Sequence, residues 1–155
     1  MTAVALTAIP AGATILLDTS AVLAYLAGTE PASAAAASVI DGLVATGKAR
    51  GVVSTITMTE SLVRPLRARS TTAVRIVEDF LLRFPNLAVE PVTVAIAREA
   101  ARIRAATAVR TPDAIILATA VQVGATVVIG NDRSWPALAK RAGLTVRIAL
   151  LDRTR

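Results

Sequence analysis

The 155-residue chain contains no cysteine and no histidine. The first absence rules out disulfides, thiolate zinc sites and cysteine nucleophiles. The second rules out a histidine general base, a Ser-His-Asp triad and every imidazole metal site. Catalysis would have to rest on Asp, Glu, Lys, Arg, Ser, Thr or Tyr, or on a metal held by oxygen. Lysine is scarce too: of 17 basic residues only Lys48 and Lys140 are not arginine. Aromatic residues are limited to one Trp, one Tyr and two Phe, which argues against a base-stacking platform for single strands. Trp135, next to Pro136, reads as packing.

The chain has little that would place it in or across a membrane. Residues 114–131 carry no charge and approach the length of a bilayer span. Gln122, Gly124 and several threonines and alanines divide that run into a helix and a strand, so it reads as buried core. The start, MTAVALTAIPAGA, lacks the basic segment of a signal peptide and contains a proline. It reads as an arm, residues 1–13, ahead of a single domain over 14–155. The expected location is cytoplasmic.

What is present is a basic surface and an alternating pattern. The net charge is +6, carried by arginines that suit bidentate contacts to phosphate or carboxylate. Charge of this kind serves solubility or a polyanionic partner. Short runs rich in branched residues predict strands at 14–18, 51–57, 86–92, 125–130 and 144–150. Between them, helices are predicted over 21–28, 31–47, 59–69, 72–84, 92–108, 112–123 and 136–142, with Pro65 bending or splitting the third. On the fourth, Val74, Val77, Leu81 and Phe84 make the apolar stripe, and Asp79 is spaced to pair with Arg75 and Arg83. Strands alternating with helices predict an α/β fold, a three-layer α/β/α domain around a mostly parallel sheet.

Four acids stand apart from the wet helix faces. Asp18 ends the first predicted strand, Glu60 follows the second, Asp113 opens a helix and Asp132 follows the fourth strand. Parallel α/β sheets bind ligands beyond the carboxyl ends of their strands, where these acids fall. Each also has a local explanation. Asp18, with Thr19 and Ser20, can cap a helix; Glu60 can pair with Arg64; Asp113 suits a helix first turn after Thr111 and Pro112; Asp132 can form a turn. Convergence of all four would raise their pKa values or demand a cation. Hard oxygen ligands select magnesium (Mg2+) or manganese (Mn2+) over zinc, and such ions serve phosphoryl chemistry without histidine or cysteine.

The blocks LLDTSAVLAYL, TMTESLVRPL, RTPDAIILATA and GNDRSW stand in the order found in PIN-domain ribonucleases, and the chain resembles the VapC toxins of type II toxin–antitoxin modules over about residues 14–150. The resemblance implies a divalent-metal endoribonuclease with catalytic positions Asp18, Glu60, Asp113 and Asp132. It implies Asp18, Asp113 and Asp132 as metal ligands, and Glu60 as a direct or water-mediated one that helps orient the attacking water. Thr19, Ser20 and Asn131 would support them, and Arg64, Arg110 and Arg133 would meet RNA phosphates. Arg98, Arg102 and Arg67 are further candidates for phosphate. A cognate VapB-like antitoxin and a toxin homodimer are implied as partners. One position departs from the pattern: many relatives carry Thr or Ser where this chain has Gly130, with Asn131 or Ser134 as possible substitutes for the lost hydroxyl. The alternative is a PIN-like domain that binds RNA or a partner without cutting. A receiver-like domain would need adjacent acids near the first strand and a late lysine, and a haloacid-dehalogenase-like enzyme a second aspartate in DTS; neither is present.

Overall fold

Ile15, Leu16 and Leu17 are fully buried in succession, as in a strand covered on both faces. They form β1 (Thr14–Leu17) at the centre of a five-stranded sheet in a computed structural model that describes residues 8–152. The other strands are β2 (Arg50–Ser54), β3 (Leu87–Glu90), β4 (Val127–Gly130) and β5 (Arg147–Leu150). All pairings are parallel, in the order β3-β2-β1-β4-β5.

The helices are α1 (Thr19–Ala27), α2 (Ser33–Val39, continued by a π turn over Ile40–Val44), α3 (Thr55–Arg67), α4 (Thr71–Arg83), α5 (Val94–Thr107), α6 (Thr111–Gln122) and α7 (Trp135–Arg141). Period-two alternation sorts the strand side chains between two cores. Ile15, Leu17, Val53, Val127 and Ile129 pack with Val22, Val39 and Leu81 of α1, α2 and α4. Leu16 and Val128 pack with Ile103, Leu117 and Trp135 of α5, α6 and α7. The result is the expected three-layer α/β/α sandwich, with a sheet that is parallel throughout. From β1 the chain builds outward through β2 to β3, then returns to add β4 and β5 on the other side. The strand order therefore reverses between β1 and β4, and a crevice opens there beyond the strand ends.

Several expected boundaries move. The strand expected over 51–57 ends at Ser54, whose hydroxyl accepts from Ile56 N–H at 3.1 Å and caps α3. Pro65 neither splits nor ends α3, which runs on through it to Arg67. The helix expected over 31–47 changes pitch at Ile40 into a π turn. Asp79 pairs with Arg83, at 3.5 Å. Of the N-terminal arm, residues 1–7 lie outside the described part; Ile9 is buried in the core and Gly12 N–H donates to Lys48 C=O at 2.8 Å. Among the described residues, no helix is long and apolar enough to cross a membrane.

The aromatic residues Tyr25, Phe80 and Phe84 cluster between α1 and α4, with Tyr25 5.1 Å from Phe80 by ring centroid. The Tyr25 hydroxyl donates to Asp41 Oδ1 at 2.8 Å. Burial, then the hydrogen bond to Asp41 and its charge, push the Tyr25 phenol up to about 12 from 10.0. A raised folded-state pKa adds stability that is intact below the unfolded value of 10.0 and is lost as pH rises through about 12. As Tyr25 is the sole tyrosine, an ultraviolet absorbance titration reads it directly. The midpoint is expected near 12 in the wild type and lower in Asp41→Asn. Equal midpoints in the two proteins would contradict this account.

Candidate metal centre

The crevice is built from the ends of elements. Asp18 follows β1 and caps α1: its Oδ2 accepts from Ser20 N–H at 3.3 Å and from the Ser20 hydroxyl at 2.7 Å. Its own N–H donates to Ile129 C=O at 2.9 Å, tying it to β4. The residue is only 7% exposed. Burial raises its pKa above 3.8, the bonds from Ser20 and Thr19 oppose that rise, and the charge of Asp113 adds to it. The cap reading of Asp18 and its place in the crevice are therefore compatible.

Glu60 lies on α3, not at its start, and reaches α1. Thr19 Oγ1 donates a short hydrogen bond to Glu60 Oε2, and the Thr57 hydroxyl lies 3.3 Å from the same Thr19 oxygen. Buried Thr57 was not among the expected residues. Its spacing of three from Glu60, which puts both on one helix face, is the signal that would have found it.

Asp113, in the first turn of α6, is buried and bound by Arg110, Nε to Oδ2 at 3.1 Å and Nη2 to Oδ1 at 3.4 Å. The bond to Asp113 leads the causes that raise the Arg110 pKa, and the charges of Glu60 and Asp132 contribute. Asp132 is exposed after β4, where its Oδ1 accepts from Ser134 N–H at 2.8 Å and from the Ser134 hydroxyl at 2.6 Å. Asp113, Asp132, Arg110, Ser134 and Arg141 line one open pocket of about 450 Å³.

These couplings bring the four acids to one crevice. Among the described residues, however, no three of them stand close enough together to hold a metal as they are. Each is turned to a local donor: Asp18 to Ser20, Glu60 to Thr19, Asp113 to Arg110 and Asp132 to Ser134. The donor set is composed of hard oxygens, and a buried carboxylate with a raised pKa beside a like charge gains from a cation. The chemistry of these donors, though not their present spacing, suits a hard divalent cation such as magnesium or manganese.

Gly130 proves to be a close approach. A Cβ there would lie 3.1 Å from Asp18 Cβ and 3.2 Å from its Oδ2. The hydroxyl beside Asp18 comes instead from Ser20, which also accepts from Asn131 N–H at 3.0 Å. The Asn131 side chain looks elsewhere, accepting from Asp152 N–H. One of the arginines considered for phosphate, Arg102, has structural partners, as does its neighbour Arg104. Arg102 binds Glu99 and Ala142 C=O, and Arg104 binds Val109 C=O. Arg64 is exposed on α3, and Arg133 is exposed beside Asp132.

The model of the PIN domain family matches residues 15–141. The chain belongs to the PIN-domain family. Solved structures share the fold at low identity. One is VapBC2 from Rickettsia felis bound to a DNA fragment from its promoter, with a TM-score of 0.68 at 12% identity, covering 90% of this chain and 99% of that one. A second is DNA-bound VapBC from Salmonella typhimurium, at 0.65 and 21%, with the same coverage. A third is VapC20 of Mycobacterium tuberculosis, described as a toxin that cleaves the sarcin-ricin loop, at 0.64 and 19%, covering 79% and 93%. Among curated proteins, none matches this PIN-domain sequence.

Proposed function

We infer that this PIN-domain protein is the toxin of a type II toxin–antitoxin module, a metal-dependent endoribonuclease that hydrolyses RNA phosphodiester bonds. One observation supports the reading: acids from four separate segments are coupled, since Arg110 binds Asp113 and feels Glu60 and Asp132, while Asp113 repels Asp18. The likeness to VapBC complexes supports the toxin assignment and a VapB-like partner.

In this reading Asp18, Asp113 and Asp132 hold magnesium or manganese, and Glu60 does so directly or through water. The bound ion supplies charge neutralisation at the phosphoryl oxygens and an acidified water. Glu60 orients the attacking water, and Thr19 fixes the carboxylate through its hydrogen bond. Ser20 holds Asp18 in place. Arg64, Arg110 and Arg133 meet the RNA backbone. Exposed Val63, Leu66, Ile76 and Leu82 on α3 and α4 support a protein partner, either the antitoxin or a second copy in a homodimer. The protein acts in the cytoplasm as one domain, whose core takes in Ile9 and Ala13.

The alternative, a PIN-like domain that binds without cutting, draws on the engagement of each acid by its own local donor. One assay separates the two. Antitoxin-free protein is expected to cut a structured RNA with magnesium or manganese and to stop in EDTA. Cutting that is equal with and without chelator overturns the metal mechanism, and no cutting with either metal favours the binding domain.

A further inference from the structure

Arg110 is an odd residue for its position. It is the N-cap of α6, yet its side chain makes no cap hydrogen bond. A positive charge at a helix N-terminus opposes the macrodipole, and an arginine placed before its acid is the weaker order for a helical ion pair. As a local i,i+3 pair the contact is therefore a weak one, in the less favourable order. The guanidinium nonetheless folds back onto Asp113 with two contacts, at 3.1 and 3.4 Å. It places a fixed positive charge against a carboxylate that is a candidate metal ligand. Its side chain is 78% exposed, so release into the adjoining pocket costs little burial. That pocket also holds Arg141, Thr107 and Ser134 and is large enough for a phosphate with its ribose.

We propose that Arg110 is a built-in counter-ion that occupies Asp113 until a divalent cation displaces it, and that the released guanidinium then holds a backbone phosphate of the substrate strand in the neighbouring pocket. The inference rests on the metal reading of the crevice. It makes Arg110 a competitor of the cation and a positioning residue for the substrate. The raised pKa of Arg110, caused first by Asp113 and then by Glu60 and Asp132, agrees with a guanidinium that serves the whole acidic group. Displacement frees Asp113, whose carboxylate is the one Arg110 engages.

The test is a Mn2+ titration of metal-stripped, antitoxin-free protein, read by electron paramagnetic resonance of the free ion. Arg110→Gln is expected to bind Mn2+ about two- to fivefold more tightly than wild type, the range for losing an exposed ion pair. Arg141→Gln removes a charge from the same pocket that is not bonded to Asp113, and is expected to change Mn2+ affinity by less. In a Mg2+ titration followed by NMR, the Arg110 Nε–H signal of the wild type is expected to shift with the occupancy of the site. With Mn2+ saturating, Arg110→Gln is expected to bind single-stranded RNA more weakly and with a salt slope shallower by about 0.7, the share of one phosphate. Equal tightening in both variants, unchanged or weaker Mn2+ binding in Arg110→Gln, an Nε–H signal indifferent to Mg2+, or an unaltered RNA salt slope would each overturn the proposal. Asp113→Asn keeps the two levels apart. If it binds Mn2+ as wild type does, the metal reading fails; if it binds poorly while Arg110→Gln is neutral, only the counter-ion fails.

Discussion

Asp113→Asn is expected to fold within about 1 kcal/mol of wild type in EDTA and to lose RNA cleavage by roughly a thousandfold or more. The stability terms oppose one another. The substitution removes a favourable first-turn charge, typically about 0.3–1 kcal/mol, and an ion pair with the largely exposed Arg110 that solvent screens to about 0–1 kcal/mol. It also removes repulsion against buried Asp18. The activity terms do not oppose one another. Losing a ligand carboxylate weakens the ion that neutralises transition-state charge, an effect of several kcal/mol, and each 1.36 kcal/mol is about tenfold in rate. Denaturant unfolding in EDTA and initial cleavage rates with Mn2+ check both halves. A variant clearly less stable in EDTA that cuts at the wild-type rate would reduce Asp113 to a helix-terminus acid.

Asp18→Asn should abolish cleavage to a similar degree, and its second effect is a change in pH dependence. Asparagine is as good an N-cap as aspartate, so α1 keeps its start. Burial raises the folded-state pKa of Asp18 above 3.8, so through that window the folded protein binds more protons than the unfolded chain. Stability without metal therefore falls as pH rises from about the unfolded value through the raised folded one. Asp18→Asn lacks this fall. The difference in unfolding free energy between variant and wild type should grow in the variant's favour from pH 4 upward and then level off. Added Mn2+ should reverse it by stabilising only the wild type. A difference independent of pH, with or without Mn2+, would mean that Asp18 carries no burial penalty and holds no cation.

The architecture was legible because the strands of a sheet covered on both faces read as unbroken apolar runs. The acids stood out because they interrupt that pattern at its ends. Local detail was lost where two signals overlap. Thr55, Ile56 and Thr57 are β-branched and continue the look of a strand, but the Ser54 hydroxyl caps the backbone into α3. Glu60 consequently sits a full turn inside the helix and reaches the site through Thr19. The role of Gly130 was hidden for another reason. Against the family pattern it reads as a lost hydroxyl, whereas in space it is room for Asp18, with Ser20 providing the hydroxyl. The spacing of three between Arg110 and Asp113 permits their ion pair, but Arg110 is the N-cap of α6, outside the helix proper, so spacing alone does not fix where its side chain turns.

The order in which the strands are laid down bears on how the cell makes this chain. Ile15 pairs with Val127, so the middle of the sheet stays open until the polypeptide is nearly finished. A ribosome that has released residues 1–126 has exposed β1 with one unpaired edge, and no Asp132. Premature termination there yields a fragment with an unpaired strand edge and an incomplete crevice, prone to proteolysis and aggregation. A chain that stops short of Val127 therefore lacks both the strand that closes the middle of the sheet and the last of the four acids.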